Sequence, residues 1–293
     1  LEERPFRLPT IEDYLAGEPL ENEPVVDREQ RRRNHDLIYA QKPLLLVEKV
    51  GKQFGSFTAL QTTSFHVFPG ETLGIVGESG SGKTTLARVV LELIPASEGK
   101  IYYKDRDITT LTSGKLKELR KDLQIIFQDP FSSLNPRLAA GPAILEPMKV
   151  HGLHGNTAGR KARVMELLRQ VGLKPEHYYR YPHEFSGGQR QRICIARALA
   201  VEPRLIICDE SVSALDVSIQ AQVLNLLNDL KKDYGLTYIF ISHDLSVVKY
   251  MSDRLIVMKN GRIEEMGEAD QVYADPQSEY TKTLLSAIPC NPS

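Results

Sequence analysis

The sequence has few cysteines, no long apolar run and almost no net charge, and each of these absences excludes a class of protein. Its 293 residues include three cysteines, 37 lysines and arginines, and 38 aspartates and glutamates, for a formal charge of -1. Cysteines this few, without a C-x-x-C spacing, encode neither a disulfide framework nor a zinc or cluster site. The balanced charge argues against a protein whose main task is to coat nucleic acid or an anionic membrane.

No part of the chain is predicted to be a membrane-spanning helix. The longest stretch without acidic or basic residues runs from Gln53 to Gly70 and is broken by polar residues, whereas a spanning helix needs ~20 apolar residues. With 41% hydrophobic and 26% charged residues, the composition is that of an ordinary globular protein. Because the chain begins at Leu1 and not at Met, we expect it to be part of a longer protein.

Composition divides the chain into an N-terminal arm and a longer folded region. Residues 1–43 hold 5 of the 17 prolines and little apolar periodicity, which predicts a linker or arm. Acidic residues flank its basic run at residues 28–33, so a solvated linker face is favoured over a nucleic-acid or lipid patch. From Leu44 onward, buried-strand patterns alternate with amphipathic helices, which indicates an α/β fold with a mostly parallel sheet covered by helices.

The individual elements follow from apolar runs and from helical periodicity. Strands are predicted at residues 44–50, 64–68, 72–76, 101–103, 123–127, 205–208, 238–241 and 255–258. Helical patterns are predicted around residues 164–171, 193–199 and 219–230.

A glycine-rich loop follows the predicted strand at residues 72–76 and opens a helical pattern. It fits G-x-x-x-x-G-K-S/T, a match expected by chance in on the order of 1% of chains of this length. Backbone N–H groups and the helix N-terminus can hold phosphates, Lys83 can reach the β- and γ-phosphates, and Thr84 can ligate Mg²⁺. We therefore predict a nucleotide-binding loop made by Gly77, Glu78, Ser79, Gly80, Ser81, Gly82, Lys83, Thr84 and Thr85.

Two further segments contain groups suited to phosphate chemistry. The apolar run at residues 205–208 ends in Asp209, which can hold the water shell of a metal ion, and Glu210, which is placed to orient or deprotonate the attacking water. Acidic residues also cap strands for structural reasons, but the phosphate loop upstream favours the catalytic role. The small residues of Ser186-Gly187-Gly188-Gln189 precede an apolar helix and predict a second anion site, although the same residues also form an ordinary helix N-cap.

Together these motifs resemble the nucleotide-binding subunit of an ATP-binding cassette (ABC) transporter. The resemblance covers residues 44–289, in the family order of phosphate loop, Gln128, Ser186–Gln189 signature, Asp209-Glu210, Asp216 and His243. It implies a P-loop NTPase core of ABC type with a mostly parallel sheet, an antiparallel β subdomain and an inserted helical subdomain. The expected boundaries are 1–43 for the arm, 44–270 for the ABC ATPase domain, about 128–190 for its helical subdomain, and 271–293 for a C-terminal tail of the peptide-importer type.

The resemblance also implies roles for single residues. Gln128 should lie near Mg²⁺ and the attacking water, and His243 should touch the γ-phosphate, so both join Glu210 as catalytic candidates. Thr84, Gln128 and Asp209 are the expected metal ligands. The signature Ser186, Gly187, Gly188 and Gln189 should contact ATP bound at a partner's phosphate loop, and Asp216 should help to join the two subunits.

The role of Phe54 leaves an alternative open, and two other positions depart from the family pattern. Phe54 is a candidate for stacking on adenine, but core packing is the other reading, and Phe57 competes for the same role. Phe185 replaces the Leu that usually precedes the signature, and Ser211 stands where the family commonly has Pro. Neither exchange removes a chemical group, so we expect a site that hydrolyses ATP.

Two stretches resemble the ATPase subunits of dipeptide, oligopeptide and nickel importers. They are residues 127–137 and the tail at residues 275–289. Some of these relatives bind an iron–sulfur cluster near the tail, but Cys290 stands alone here, so none is expected. Residues 4–14 look like the linker after the first cassette in importers whose two ATPases are fused. We therefore expect the chain to be the second half of such a tandem protein.

The resemblance implies an ATP-binding and hydrolysing subunit that uses ATP and Mg²⁺ to power import of peptides, or of a related solute such as nickel. Its expected place is the cytoplasmic face of the inner membrane. Expected partners are a second ABC ATPase domain in a head-to-tail dimer, integral membrane permease subunits and, indirectly, an extracytoplasmic solute-binding protein, with no nucleic acid. The alternatives are a soluble ABC ATPase outside transport, and a nucleotide-binding module with vestigial hydrolysis.

Overall fold

The structure, a computed structural model, describes residue 8 and residues 36–286. These divide into two units. The helical unit comprises residues 8, 36–40, 128–201 and 212–235; the sheet unit comprises residues 41–127, 202–211 and 236–286. Most of the predicted arm and the last seven residues of the predicted tail lie outside the described residues.

All ten strands found in the described residues belong to the sheet unit. They are β1 (Leu45–Phe54), β2 (Phe57–Val67), β3 (Thr72–Val76), β4 (Glu98–Tyr103), β5 (Arg106–Asp107), β6 (Leu123–Ile126), β7 (Leu205–Asp209), β8 (Thr237–Ile241), β9 (Arg254–Lys259) and β10 (Arg262–Glu268).

The helices from residue 80 onward are shared between the units. The sheet unit contains α1 (Lys83–Val90), α2 (Ser113–Asp122), α8 (Leu245–Met251), α9 (Ala269–Ala274) and α10 (Glu279–Ser286), and the helical unit contains α3 (Pro130–Ser133), α4 (Ala140–Val150), α5 (Thr157–Gln170), α6 (Gly187–Leu199) and α7 (Val217–Tyr234). In the part of the chain that the structure describes, no helix combines the length and the apolar composition needed to cross a bilayer.

The larger sheet has six strands in the order β10-β9-β3-β8-β7-β6. Its strands β9, β3, β8, β7 and β6 run parallel, and β10 pairs antiparallel with β9 at the edge. Every residue of β3, β7 and β8 is buried. Strands covered on both faces become near-continuous apolar runs, which is why the sequence predicted these three correctly.

The smaller sheet is antiparallel, with the order β2-β1-β4-β5. Strand β1 lies at its centre, so that Leu45 pairs with Val67 on one side and with Tyr103 on the other. This sheet confirms the antiparallel β subdomain that the family resemblance implied.

Helix α1 connects the two sheets through a shared apolar core. Leu86 and Val89 of α1 belong to the same buried cluster as Val47 of β1 and Ile239 of β8. Because α1 begins directly after the glycine-rich loop, burial of its apolar face holds the loop in place.

The helical unit packs amphipathic helices whose apolar faces follow the predicted periodicity. Val164, Leu167 and Leu168 of α5 are fully buried, as are Val223 and Leu227 of α7. The helical patterns around residues 164–171, 193–199 and 219–230 are thus confirmed as parts of α5, α6 and α7.

Candidate functional site

Three polar segments follow neighbouring strands of the six-stranded sheet. The glycine-rich loop follows β3, Asp209 ends β7, and His243 follows β8 by two positions. Strand β8 lies between β3 and β7, and parallel strands present their carboxyl ends at one edge of the sheet, where ligands bind. The fold therefore gathers these segments at one edge of the sheet unit.

Close backbone approaches explain why the loop requires glycine at two positions. Gly77 has φ +152°, and a Cβ there would lie 2.2 Å from the Met258 carbonyl oxygen of β9. Gly82 has φ +102°, and a Cβ there would lie 2.9 Å from the Ala59 carbonyl oxygen of β2. A side chain at either position would displace the backbone, so β9 and β2 define the path of the loop.

Lys83, the first residue of α1, folds back over the loop. Its Nζ donates to the carbonyl oxygens of Gly77 at 2.8 Å and Glu78 at 2.9 Å, and to Ser81 Oγ at 3.4 Å. Burial lowers the pKa of Lys83, while the nearby carboxylate of Glu210 acts in the opposite direction. An ammonium held in this way by two backbone carbonyls and a hydroxyl can donate to a phosphate oxygen.

Thr84 and Asp209 place two oxygen atoms side by side next to the loop. Thr84 Oγ1 donates to Asp209 Oδ1 at 3.1 Å. Burial raises the pKa of Asp209, and the hydrogen bond from Thr84 opposes that shift. The described residues contain no cluster of three His, Cys, Asp or Glu that could hold a metal ion. One hydroxyl and one carboxylate fit Mg²⁺, which takes few protein ligands and completes its shell with water and substrate phosphates.

Glu210 combines a strained backbone with a carboxylate near an imidazole. Its φ of +48° lies in the left-handed region, a conformation that is costly for a side chain of this type and concentrates at functional sites. The Glu210 N–H donates to the Ile241 carbonyl oxygen of β8 at 2.9 Å. His243 Nδ1 lies 3.4 Å from Glu210 Oε2, and the His243 side chain is 57% exposed. Such a pair can orient a water molecule and accept its proton.

The two aromatic candidates lie at the turn between β1 and β2. Phe54 and Phe57 face each other in the register of this hairpin, and they are 50% and 65% exposed. Core packing of Phe54 was therefore wrong as an alternative. Lys52 Nζ lies 4.9 Å from the centre of the Phe54 ring. Both rings are accessible for stacking, and the choice between them stays open.

The signature residues begin α6 in the helical unit. Ser186 Oγ accepts from the Gln189 N–H at 3.3 Å, and Gln189 Oε1 accepts from the Ser186 N–H at 3.2 Å, forming a capping box. A Cβ on Gly188 would lie 2.3 Å from Ile219 Cγ2 of α7. The structure thus confirms the helix N-cap, whereas contact of the signature with a nucleotide stays a prediction.

Two other predicted residues also belong to the helical unit. Gln128 is its first residue after β6, and Asp216 caps α7 by accepting from the Ile219 N–H at 3.0 Å. Within the sheet unit, the structure brings together the loop 77–85, Asp209, Glu210 and His243. For Gln128 and the signature, a position beside the nucleotide stays a prediction.

Tyr280 contacts the loop without having been predicted to do so. Its hydroxyl oxygen accepts a hydrogen bond from the Glu78 N–H at 3.4 Å, across 202 positions of sequence. The sequence marked this residue only as part of the importer-type tail. No local pattern predicts a contact over that separation.

Comparison with known proteins agrees with this geometry. The profile of the family described as ABC transporter matches residues 60–213. The glutathione import ATP-binding protein GsiA of Escherichia coli (strain K12) is 52% identical over 291 residues, which cover 97% of this chain and 46% of that protein. The protein of the same name from Shigella flexneri serotype 5b (strain 8401) is 50% identical over 290 residues, which cover 98% of this chain and 46% of that protein. The chain thus spans about half the length of the curated relatives it matches.

Solved structures share the fold. The dimeric structure of a post-hydrolysis state of the ATP-binding cassette MJ0796 bound to ADP and Pi has a TM-score of 0.70 and 29% identity, and covers 77% of this chain and 98% of that chain. The structure of cbiO1 from Clostridium perfringens, part of the ABC transporter complex cbiONQ, has a TM-score of 0.73 and 26% identity, and covers 85% of this chain and 97% of that chain.

Proposed function

Because the chain belongs to the ABC transporter family, we propose that it is the ATP-binding and ATP-hydrolysing part of an importer for peptides or peptide-like solutes. The observation that carries the proposal is the 3.1 Å contact between Thr84 and Asp209 next to the glycine-rich loop. These two side chains offer a hydroxyl and a carboxylate oxygen, the kind of ligands that bind the Mg²⁺ of a nucleoside triphosphate. The relatives named as glutathione import proteins support the class of solute.

The loop and α1 bind the phosphates. Backbone N–H groups of the loop and the N-terminus of α1 bind the phosphate oxygens, and Lys83, held by the loop carbonyls, reaches the β- and γ-phosphates. Thr84 and Asp209 would hold Mg²⁺, which would neutralise part of the negative charge on the phosphate oxygens. An exposed aromatic ring at the first hairpin, Phe54 in our assignment, stacks on adenine.

Hydrolysis needs a water molecule aligned with the γ-phosphate. Glu210 orients this water and accepts its proton, and His243, 3.4 Å from the Glu210 carboxylate, is proposed to contact the γ-phosphate as well. Gln128 is proposed to complete the site from the helical unit. The signature, Ser186–Gln189, is proposed to close over ATP held by a second cassette in a head-to-tail pair.

Transport requires partners that move with this closure. We assign a second ABC ATPase domain, integral membrane permease subunits and, indirectly, an extracytoplasmic solute-binding protein, with the chain peripheral on the cytoplasmic face of the inner membrane. The solved relatives support pairing and membrane subunits, since one is described as dimeric and another as part of a transporter complex.

Replacing the proposed base tests the function directly. In the complete importer, Glu210→Gln should lower the rate of ATP hydrolysis by roughly 10² to 10⁴ while ATP binding persists, because the amide cannot accept the proton of water. Glu118→Gln, at an exposed carboxylate of α2, is the matched control and should hydrolyse ATP at the normal rate. Full hydrolysis in the Glu210→Gln importer would contradict the proposal.

A further inference from the structure

Helix α10 reaches the glycine-rich loop through the side chain of Tyr280. The Tyr280 hydroxyl oxygen accepts from the Glu78 N–H at 3.4 Å. On the same ring, Lys259 Nζ of β9 lies 4.3 Å from the ring centre, a distance at which a cation is attracted to an aromatic face. The ring is therefore held between strand β9 and the loop.

The start of α10 is fixed to the end of the large sheet. The Glu265 carboxylate of β10 accepts from the Gln277 N–H at 2.8 Å and from the Ser278 N–H at 3.0 Å. Ser278 Oγ in turn accepts from the Tyr280 N–H at 3.2 Å. These hydrogen bonds pair N–H groups at the start of the helix and hold Tyr280 next to the glycine-rich loop.

One peptide group of the loop lies between Tyr280 and Lys83. The peptide that joins Gly77 to Glu78 donates its N–H to the Tyr280 hydroxyl, and its carbonyl oxygen accepts from Lys83 Nζ at 2.8 Å. A peptide group is planar, so holding the N–H on one side sets the direction of the C=O on the other. The hydrogen bond to Tyr280 therefore helps to set the direction of the Gly77 carbonyl oxygen, one of the three acceptors that hold the Lys83 ammonium.

We propose that Tyr280 is a positioning residue for phosphate binding, which acts by holding the Gly77–Glu78 peptide and, through it, the Lys83 ammonium. The inference rests on the proposed nucleotide site and extends it to the C-terminal helix. It gives the importer-type tail a role in nucleotide affinity.

The test is Tyr280→Phe in the full-length protein, which keeps the ring against Lys259 and removes only the hydroxyl. The Kd for ATP in the presence of Mg²⁺, measured by calorimetry, should rise about 2- to 10-fold, as expected for the loss of one neutral hydrogen bond. The Glu78 amide should exchange its hydrogen faster, and the midpoint of thermal unfolding without nucleotide should stay unchanged. Tyr102→Phe, at a half-buried tyrosine of β4, is the matched control and should bind ATP normally.

Two results would overturn the inference. One is an unchanged Kd in the Tyr280→Phe protein. The other is a weaker affinity that comes with a lower unfolding midpoint, since that would reflect a general loss of folding. Lys83→Ala separates this failure from failure of the function: if Lys83→Ala and the unmodified protein bind ATP equally, the nucleotide site itself is wrong. If Lys83→Ala alone loses ATP, only the role of Tyr280 fails.

Discussion

At the scale of single residues, Glu92 combines two unfavourable features just after α1. Its φ is +51°, a left-handed conformation that favours glycine at the end of a helix. Its carboxyl is half-buried with one oxygen that has no hydrogen-bond partner. Burial, with a smaller contribution from Asp107, raises the pKa of Glu92 to about 7.

The raised pKa of Glu92 makes stability depend on pH. The folded state binds a proton more tightly than the unfolded state, whose carboxyl has a pKa of 4.5. The contribution of the protonated Glu92 carboxyl to folding stability is therefore complete below pH 4.5, and it is lost as the pH rises through about 7. Because solvent screens a half-buried group, we expect a loss of about 1 to 2 kcal/mol in the free energy of unfolding.

Glu92→Gln should remove this part of the pH dependence, because an amide does not titrate. Urea unfolding at pH 5 and pH 8 should show that the variant gains stability over the unmodified protein at pH 8. Glu118→Gln serves as the exposed control and should leave the pH dependence in place. Identical pH profiles for Glu92→Gln and the unmodified protein would show that this carboxyl is not responsible.

At the scale of elements, the contact between α6 and α7 depends on a glycine of the signature. A Cβ at Gly188 would lie 2.3 Å from Ile219 Cγ2, and Ile219 is β-branched and cannot turn away freely. Gly188 therefore has a packing role in addition to any contact with a nucleotide.

Gly188→Ala should lower the free energy of unfolding by about 1 to 3 kcal/mol, the usual cost of overpacking. Combining it with Ile219→Ala should recover part of the loss, because the clashing methyl group is then removed. A double-mutant cycle by urea unfolding measures this coupling. Additive effects of the two substitutions would rule out the steric explanation.

Strand burial explains which elements the sequence could predict. Strands β3, β7 and β8 are buried on both faces and were predicted from their apolar runs. Strand β10 is an edge strand with no fully buried residue, so it lacks an apolar run and was not predicted. For β2, only the part at residues 64–68 was predicted, because most of its first half is solvent-accessible. Edge and surface strands are held by main-chain pairing, which leaves little trace in the pattern of side chains.

At the scale of the whole molecule, hydrogen bonds join Leu8 to helix α7 within the helical unit. Asn225 of α7 is 2% exposed, and the other buried residues of this helix are apolar. Its Oδ1 accepts from the Leu8 N–H at 3.1 Å, and its Nδ2 donates to the Leu8 carbonyl oxygen at 2.9 Å. The Asn225 side-chain amide has both a donor and an acceptor, so it can pair with the N–H and the C=O of Leu8, a residue 217 positions away in sequence.

Asn225→Ala should lower the free energy of unfolding by about 1 to 3 kcal/mol, since the paired groups of Leu8 lose their partner. It should also speed hydrogen exchange at the Leu8 amide, as measured by mass spectrometry of N-terminal peptides. Lys232→Ala, at an exposed position of the same helix, should change neither quantity. Unaltered exchange at Leu8 in the Asn225→Ala protein would contradict the assigned anchor.

The sequence by itself determined the phosphate loop, the Asp209-Glu210 pair and the buried strands that precede them. These are local features, in which the chemistry of a turn or the burial of a strand selects residues that are close in the chain. Only the tertiary structure decided that Glu210 faces His243, that Phe54 is exposed, and that Tyr280 holds the loop. The two contacts join residues far apart in sequence. Like the exposure of Phe54, they depend on how strands and helices pack, which no local pattern encodes.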